Sequence, residues 1–274
     1  MINASDKPLI MGILNVTPDS FSDGGYFNSI NSALVHVEKM LTDGADIIDI
    51  GGESTRPYSI SVSSGEQVQR VIPIIKAIRS HLSTTVPISI DTRISSVAKM
   101  ALAEGANIIN DISAGQNDPN LLKVAAEYNC PIILMHIKGT PQTMQNNPTY
   151  RDVVSEVFSS LKKSAENAKE AGIKEDKIIL DPGIGFGKTN EHDLTLLASL
   201  DQLVKIGYPI LLGTSRKKFF NSIEAIVNPE DLALATSVTT SLAIMAGVKI
   251  IRVHDVKENK QSLEVAWAIK ESSN

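Results

Sequence analysis

The 274-residue sequence has a single cysteine, Cys130, which excludes a disulfide framework and any zinc or iron–sulfur site built from several cysteines. One thiol fits a reducing compartment, so a cytoplasmic protein is expected. Aromatics are also scarce: six Phe, five Tyr and one Trp leave the core to Ile, Leu, Val and Ala. No apolar run approaches the roughly 18–20 residues that cross a bilayer, and no charged head precedes a long apolar stretch, so no membrane partner is expected. Basic residues are outnumbered, 26 against 31 acidic ones for a formal net charge of −5. That balance argues against a basic groove for nucleic acid. The histidines are scattered, with no His-Glu-x-x-His and no Gly-x-Ser-x-Gly, which disfavours catalytic zinc and serine hydrolysis. Gly187-Lys188-Thr189 looks like the end of a phosphate-binding P-loop, but Pro182 stands where its first glycine is required. Gly183-Ile184-Gly185-Phe186-Gly187 has the wrong spacing for a dinucleotide fingerprint.

What is present is strand–helix alternation. Short apolar runs occur at 9–14, 46–50, 87–90, 107–109, 131–135, 177–180, 209–212 and 249–253. They are continuously apolar rather than alternating, as strands covered on both faces are. Helical spacing separates them. Ile30, Leu34, Val37 and Leu41 form one stripe, with Asn28 or Ser29 as the expected N-cap and Gly44 past the end. A second stripe runs through Val68, Val71, Ile72, Ile75 and Ile78 after a capping pattern at Ser64-Gly65-Glu66-Gln67, with Pro73 predicting a kink or early break. Further helices are expected over 95–103, 120–128, 151–171, 191–205, 229–246 and 257–270. Eight such units without a dividing linker predict one (β/α)8 TIM barrel domain over 1–274, with an open doubly wound sheet as the competitor. Two connections, 16–28 and 53–65, are longer than usual and read as mouth lids.

Barrels of this kind carry their chemistry where strands end at the C-terminal face. The eight runs close on Asn15, on Gly51-Gly52-Glu53, on Asp91, on Asn110-Asp111, on His136, on Asp181, on Gly213-Thr214-Ser215-Arg216-Lys217 and on Arg252-Val253-His254-Asp255. Any one of these could be a turn or helix cap. Eight polar closures after eight apolar runs are better explained by a functional mouth. Arg216, Lys217, Arg252 and His254 follow the last two strands, where barrels commonly hold phosphate. Asp91, Asn110 and Asp181 offer acceptors and an amide suited to a flat heterocycle rich in N–H donors. Together they point to a polar ring bearing a phosphate.

The motifs Asn15-Val16-Thr17-Pro18-Asp19-Ser20-Phe21-Ser22-Asp23-Gly24-Gly25, Gly51-Gly52-Glu53-Ser54-Thr55-Arg56-Pro57, Asn110-Asp111, Met135-His136, Asp181-Pro182-Gly183-Ile184-Gly185-Phe186, Ser215-Arg216-Lys217 and Arg252-Val253-His254-Asp255 resemble dihydropteroate synthases, the sulfonamide-target enzymes of folate synthesis. The likeness runs from about residue 8 to 270. It implies a homodimeric barrel that joins 6-hydroxymethyl-7,8-dihydropterin pyrophosphate to para-aminobenzoate, releasing pyrophosphate with Mg2+ present. It further implies that Asp91, Asn110, Asp181 and Lys217 line a pterin pocket walled by Met135, Phe186 and Gly213, with Asp91, Asp181 and Lys217 as the catalytic set. Asn15 would sit at the magnesium and diphosphate, and Arg252 and His254 would bind phosphate oxygens. Asp23, Thr55, Arg56 and Pro57 would complete the site from the loops, and Ser215 would face the aminobenzoate carboxylate. Tyr58 stands where many relatives carry Gly, and Lys218 where a number have Ser. Two alternatives remain: a pterin-dependent methyltransferase domain, which has no use for diphosphate groups, and a catalytically silent pterin-binding paralogue.

Overall fold

In a computed structural model of the protein, residues 7–16, 25–224, 226, 228 and 231–272 are described. Asp23 and most of the first expected lid lie outside them. All eight apolar runs become strands: β1 (Leu9–Asn15), β2 (Ile47–Gly51), β3 (Ile88–Asp91), β4 (Ile108–Asp111), β5 (Ile132–Met135), β6 (Ile178–Asp181), β7 (Leu211–Leu212) and β8 (Ile250–Val253). Every pairing is parallel, in the order β6-β5-β4-β3-β2-β1-β8-β7. A parallel bridge between Leu180 and Ile210 brings the two end strands together, so the sheet curls into the expected TIM barrel. Between the strands run α1 (Gly25–Thr42), α2 (Ser64–His81), α3 (Ser95–Ala103), α4 (Asn120–Glu127), α5 (Val153–Glu170), α6 (Asn190–Ala198), α7 (Leu200–Val204), α8 (Asp231–Ala246) and α9 (Val256–Glu271). Among the described residues, no helix is long and apolar enough to cross a membrane.

Both faces of the strands are buried. Met11, Ile47, Ile108, Ile133, Ile179, Leu211 and Ile250 form an apolar plug within the barrel. Residues of opposite parity, such as Ile10, Ile48, Ile50, Ile90 and Ile251, join the larger cluster under the helices. This aliphatic packing is what the shortage of aromatics predicts. The plug fills most of the interior below, and the polar strand ends gather at the upper mouth.

Four local expectations need correction. Helical backbone begins at Gly25, so Asn28 and Ser29 fall inside α1 rather than at its cap. The cap of α2 is Ser63, whose side chain accepts the Glu66 N–H at 3.3 Å; the capping spacing is Ser63-x-x-Glu66, one residue earlier than expected. Glu66 itself turns to Arg70 instead of closing the box. Helix α2 passes through Pro73 unbroken. An interior proline costs about 3 kcal/mol, but Val71, Ile72, Ile74, Ile75 and Ile78 are all buried at roughly 1.5–3 kcal/mol each, so core packing wins. The helix expected over 191–205 instead divides at Ser199, whose backbone leaves the helical region and whose hydroxyl donates to the Thr195 carbonyl at 2.9 Å.

Candidate active site

Strand register assembles the mouth. Asn15 opposes Gly51, Gly51 opposes Asp91, and Asp91 opposes Asn110; on the far wall Met135 opposes Asp181. Registered residues of parallel strands share a face, so these side chains meet above the apolar plug. A Cβ at Gly51 would lie 3.4 Å from that of Asp91, so the glycine leaves the carboxylate room between its neighbours.

Arg252 is the centre of the charge network. Its Nε donates to Asp49 Oδ2 at 2.7 Å and its Nη2 to Asp91 Oδ2 at 2.8 Å, while Asn110 Nδ2 donates to the same Asp49 oxygen at 3.1 Å. Burial pushes the Asp91 carboxyl up to about 7; Arg252 opposes that rise, and Asp49, Glu53 and Asp111 add to it. Gly213, just past β7, would carry its Cβ 3.9 Å from that of Arg252, so the pocket wall there is open.

Asp181 is raised to about 6 by burial, against the pull of the Gly183 N–H, Lys217, Arg252 and Lys188. Its Oδ1 accepts the Gly183 N–H at 2.7 Å. Gly183 has φ +67, and a Cβ there would come within 2.0 Å of the His136 carbonyl oxygen, so this tight turn requires glycine. The turn packs Phe186 with Ile112, Met135 and Met144 and sets its ring 4.0 Å from the Lys217 ammonium. Burial first, then Arg252, lowers Lys217 to about 8, with Asp181, Asp193 and Asp91 acting the other way.

Lys188, seen in the sequence only as a failed P-loop, staples this turn from below. It is 2% exposed and donates to Gly183 O at 2.8 Å, Phe186 O at 3.0 Å and His136 Nδ1 at 3.0 Å. Asp193 takes the Gly185 N–H at 2.8 Å.

The cation set departs from expectation. His254 is held down to about 3 by burial and by Arg252, so it is neutral. Its backbone N–H donates to Ser215 Oγ at 3.1 Å, and its Nδ1 lies 2.9 Å from the same hydroxyl. Ser215 can then give its proton to Nδ1, which leaves Nε2 as the N–H. The Ser215 hydroxyl, expected toward aminobenzoate, is thus engaged with His254. Arg216 is bound to Asp255 by two bonds, at 3.0 and 2.6 Å, and half-exposed, so it is spent at the rim rather than in the pocket. The positive charge of the mouth comes from Arg252 and Lys217.

Thr55, Arg56 and Pro57 lie on the loop after β2. The root of that loop is tied: Glu53 accepts the Val62 N–H at 3.0 Å and two bonds from Arg93 at 3.1 and 2.9 Å, and Gln67 Nε2 donates to Val62 O at 3.1 Å. Its tip is docked by the Tyr58 N–H on Pro141 O at 2.9 Å. Tyr58 has φ +66, the left-handed region that favours glycine. Asn15 offers one half-buried amide at the end of β1. Among the described residues, no three His, Cys, Asp or Glu side chains are placed to hold a metal ion.

Asp49 is absent from the sequence-predicted site, and Lys188 enters the sequence reading only as part of a failed P-loop. A charged residue inside the run Ile47-Ile48-Asp49-Ile50 was the available signal for the first, since an unpaired buried carboxylate is strongly disfavoured.

Known proteins share this fold. Residues 11–254 match the family described as pterin binding enzyme. The dihydropteroate synthase of Synechocystis sp. is 48% identical over 96% of this chain and 90% of its own length. The structure of the Clostridium difficile dihydropteroate synthase in the presence of pteroic acid superposes with TM-score 0.91 at 43% identity, covering 98% of this chain and 99% of that one. The Xanthomonas albilineans dihydropteroate synthase with 4-aminobenzoic acid gives TM-score 0.89 at 39% identity, over 97% and 94%. With its barrel, its polar mouth and these likenesses over nearly its whole length, the chain belongs to the dihydropteroate synthase family of transferases.

Proposed function

We propose that the chain condenses 6-hydroxymethyl-7,8-dihydropterin pyrophosphate with para-aminobenzoate to give 7,8-dihydropteroate and pyrophosphate. The observation that carries this reading is the facing of the Asp91, Asn110 and Asp181 acceptors by Arg252 and Lys217 in one mouth. Relatives of the same family have been solved in complex with 7,8-dihydropteroate and with 4-aminobenzoic acid. The three acceptors take the N–H groups of the pterin ring, with Met135, Phe186 and Gly213 as walls. Arg252 and the His254 Nε2–H take phosphate oxygens, which a methyltransferase would not need. Thr55, Arg56, Pro57 and Asp23 cover the aminobenzoate from the loops.

Departure of diphosphate leaves positive charge on the exocyclic methylene and ring, and Asp91 and Asp181, in their ionised forms, stabilise it through a loose, cation-like transition state. The aromatic amine is a free nucleophile near pH 7, so no strong general base is required. Asn15 supplies a single hard oxygen, which fits an ion carried mainly by substrate phosphates. Asn15 would hold Mg2+ there together with the substrate phosphates, and the ion would supply charge neutralisation for the leaving diphosphate. The decisive experiment measures pyrophosphate release. Release only with both substrates and Mg2+ supports the reading, and release from the pterin diphosphate alone makes the protein a hydrolase.

A cytoplasmic homodimer completes the proposal. Cys130 is buried and free, as a reducing compartment allows. Leu234, Val238, Leu242 and Met245 form an exposed apolar stripe on α8, beside exposed Val265 and Ile269 on α9. A stripe at helical spacing suits a second copy of this chain. Light scattering should give twice the 29.5 kDa chain mass, and L242D should halve it.

A further inference from the structure

Asp49 lies in the middle of β2 with no exposed surface, and its registered partner Ser89 stands directly below Asp91 on β3. A lone carboxylate at this depth would be strongly disfavoured. One oxygen, Oδ2, receives both Arg252 Nε at 2.7 Å and Asn110 Nδ2 at 3.1 Å. Asp49 thereby ties β2 to β4 and β8, and through the Arg252 Nη2 bond to Asp91 it ties in β3.

Donor chemistry gives this node a function. A carboxylate only accepts, so the Asn110 amide must turn its NH2 toward Asp49, and its Oδ1 is left to receive an N–H from a bound ring. Arg252 commits its side-on edge, Nε and one Nη2 proton, to Asp49 and Asp91. Its end-on edge is then what it offers to phosphate oxygens. Because two carboxylates share one guanidinium, Asp91 keeps capacity to accept from a ligand.

We infer that Asp49 is a positioning residue for the pterin diphosphate, acting through Arg252 and Asn110 without touching the substrate. This rests on the proposed synthase reading, and calorimetry separates the two: wild-type protein that fails to bind the pterin diphosphate removes that reading itself. Given binding, D49N keeps the shape and loses the charge. It should melt cooperatively, weaken pterin diphosphate binding by at least about tenfold, as loss of a charged hydrogen bond does, and leave the KM for aminobenzoate within about twofold. Unchanged pterin diphosphate affinity overturns the inference, and so does an equal rise in both KM values with a lowered melting temperature, which marks a purely structural role. If D49N does not fold, R252M is compared with D49A/R252M, in which both buried charges are gone. With 6-hydroxymethylpterin, which lacks the diphosphate, the double variant should bind at least about fivefold more weakly through the loosened Asn110 amide. Equal affinities overturn the inference.

Discussion

The Lys217 ammonium sits 4.0 Å from the centre of the Phe186 ring, on a turn that Lys188 holds from beneath. The contact joins the end of β7 to the end of β6 and places a buried cation against a pocket wall. Replacing Lys217 by Ala removes charge from a pocket rather than volume from the core. K217A should therefore keep a cooperative melt while coupling activity falls by about 100-fold or more, the cost of removing one preorganised charge donor. Because burial lowers Lys217 to about 8, its positive form is lost as pH rises through that value. A basic limb near pH 8 in kcat/KM follows. Wild-type turnover in K217A would exclude the role.

Asp181 sets function against stability. In the folded protein burial holds its proton up to about 6, whereas the unfolded chain releases it near 3.8. Between those values the native state binds more protons, so stability falls as pH rises. D181N keeps the shape without the charge. Its unfolding free energy should match wild type below pH 4 and exceed it at pH 8 by an amount on the order of 2–3 kcal/mol, read by denaturant titration at each pH. Pterin binding should be lost over the same range, because an amide cannot replace the second acceptor oxygen. A D181N protein less stable than wild type at pH 8 would show that the ionised carboxylate is a net stabiliser.

Asp91 gives a parallel test on the opposite wall. D91N leaves Arg252 with Asp49 as its charged partner and removes an acceptor for the ring. Titration with the pterin diphosphate should show affinity lower by about 10- to 100-fold, the range for a hydrogen bond to a charged group. Unchanged binding heats would remove Asp91 from the pocket.

Much of this site could be read from sequence because of where its residues stand. Asp91, Asn110 and Asp181 each end an apolar run, so strand position alone takes them to the mouth. Asp49 lies between Ile48 and Ile50, and the guanidinium that justifies it is 203 residues away, a pairing that only barrel closure reveals. Arg216 and Lys217 are adjacent and equally basic, yet one is bound to Asp255 at the rim and the other faces Phe186. Nothing in their order states which turns inward. The positive φ of Arg216 and the carboxylate just past His254 decide it. His254 looked like a cation because histidine titrates near neutrality; burial beside Arg252 makes it a neutral donor. Pro73 failed as a helix breaker for the same reason, since local rules yield to a fully buried apolar face.

The loop after β2 offers a test in which the choice of deletion decides what is measured. Removing 57–63 would take away Ser63, the cap of α2, and Val62, whose N–H and carbonyl hold Glu53 and Gln67. Such a deletion should lower the melting temperature through the lost cap alone, worth about 1 kcal/mol, and so confuse structure with function. Removing only 57–60 keeps the root and loses Pro57, Tyr58 and the Tyr58–Pro141 contact. If the tip covers the aminobenzoate, this shorter deletion should leave pterin diphosphate affinity within about twofold and raise the aminobenzoate KM about tenfold, because a lid acts on the second substrate and on water exclusion. An equal loss for both substrates would make the tip part of the pocket frame, and no loss for either would leave its exposed Ile60 and strained Tyr58 without a part in coupling.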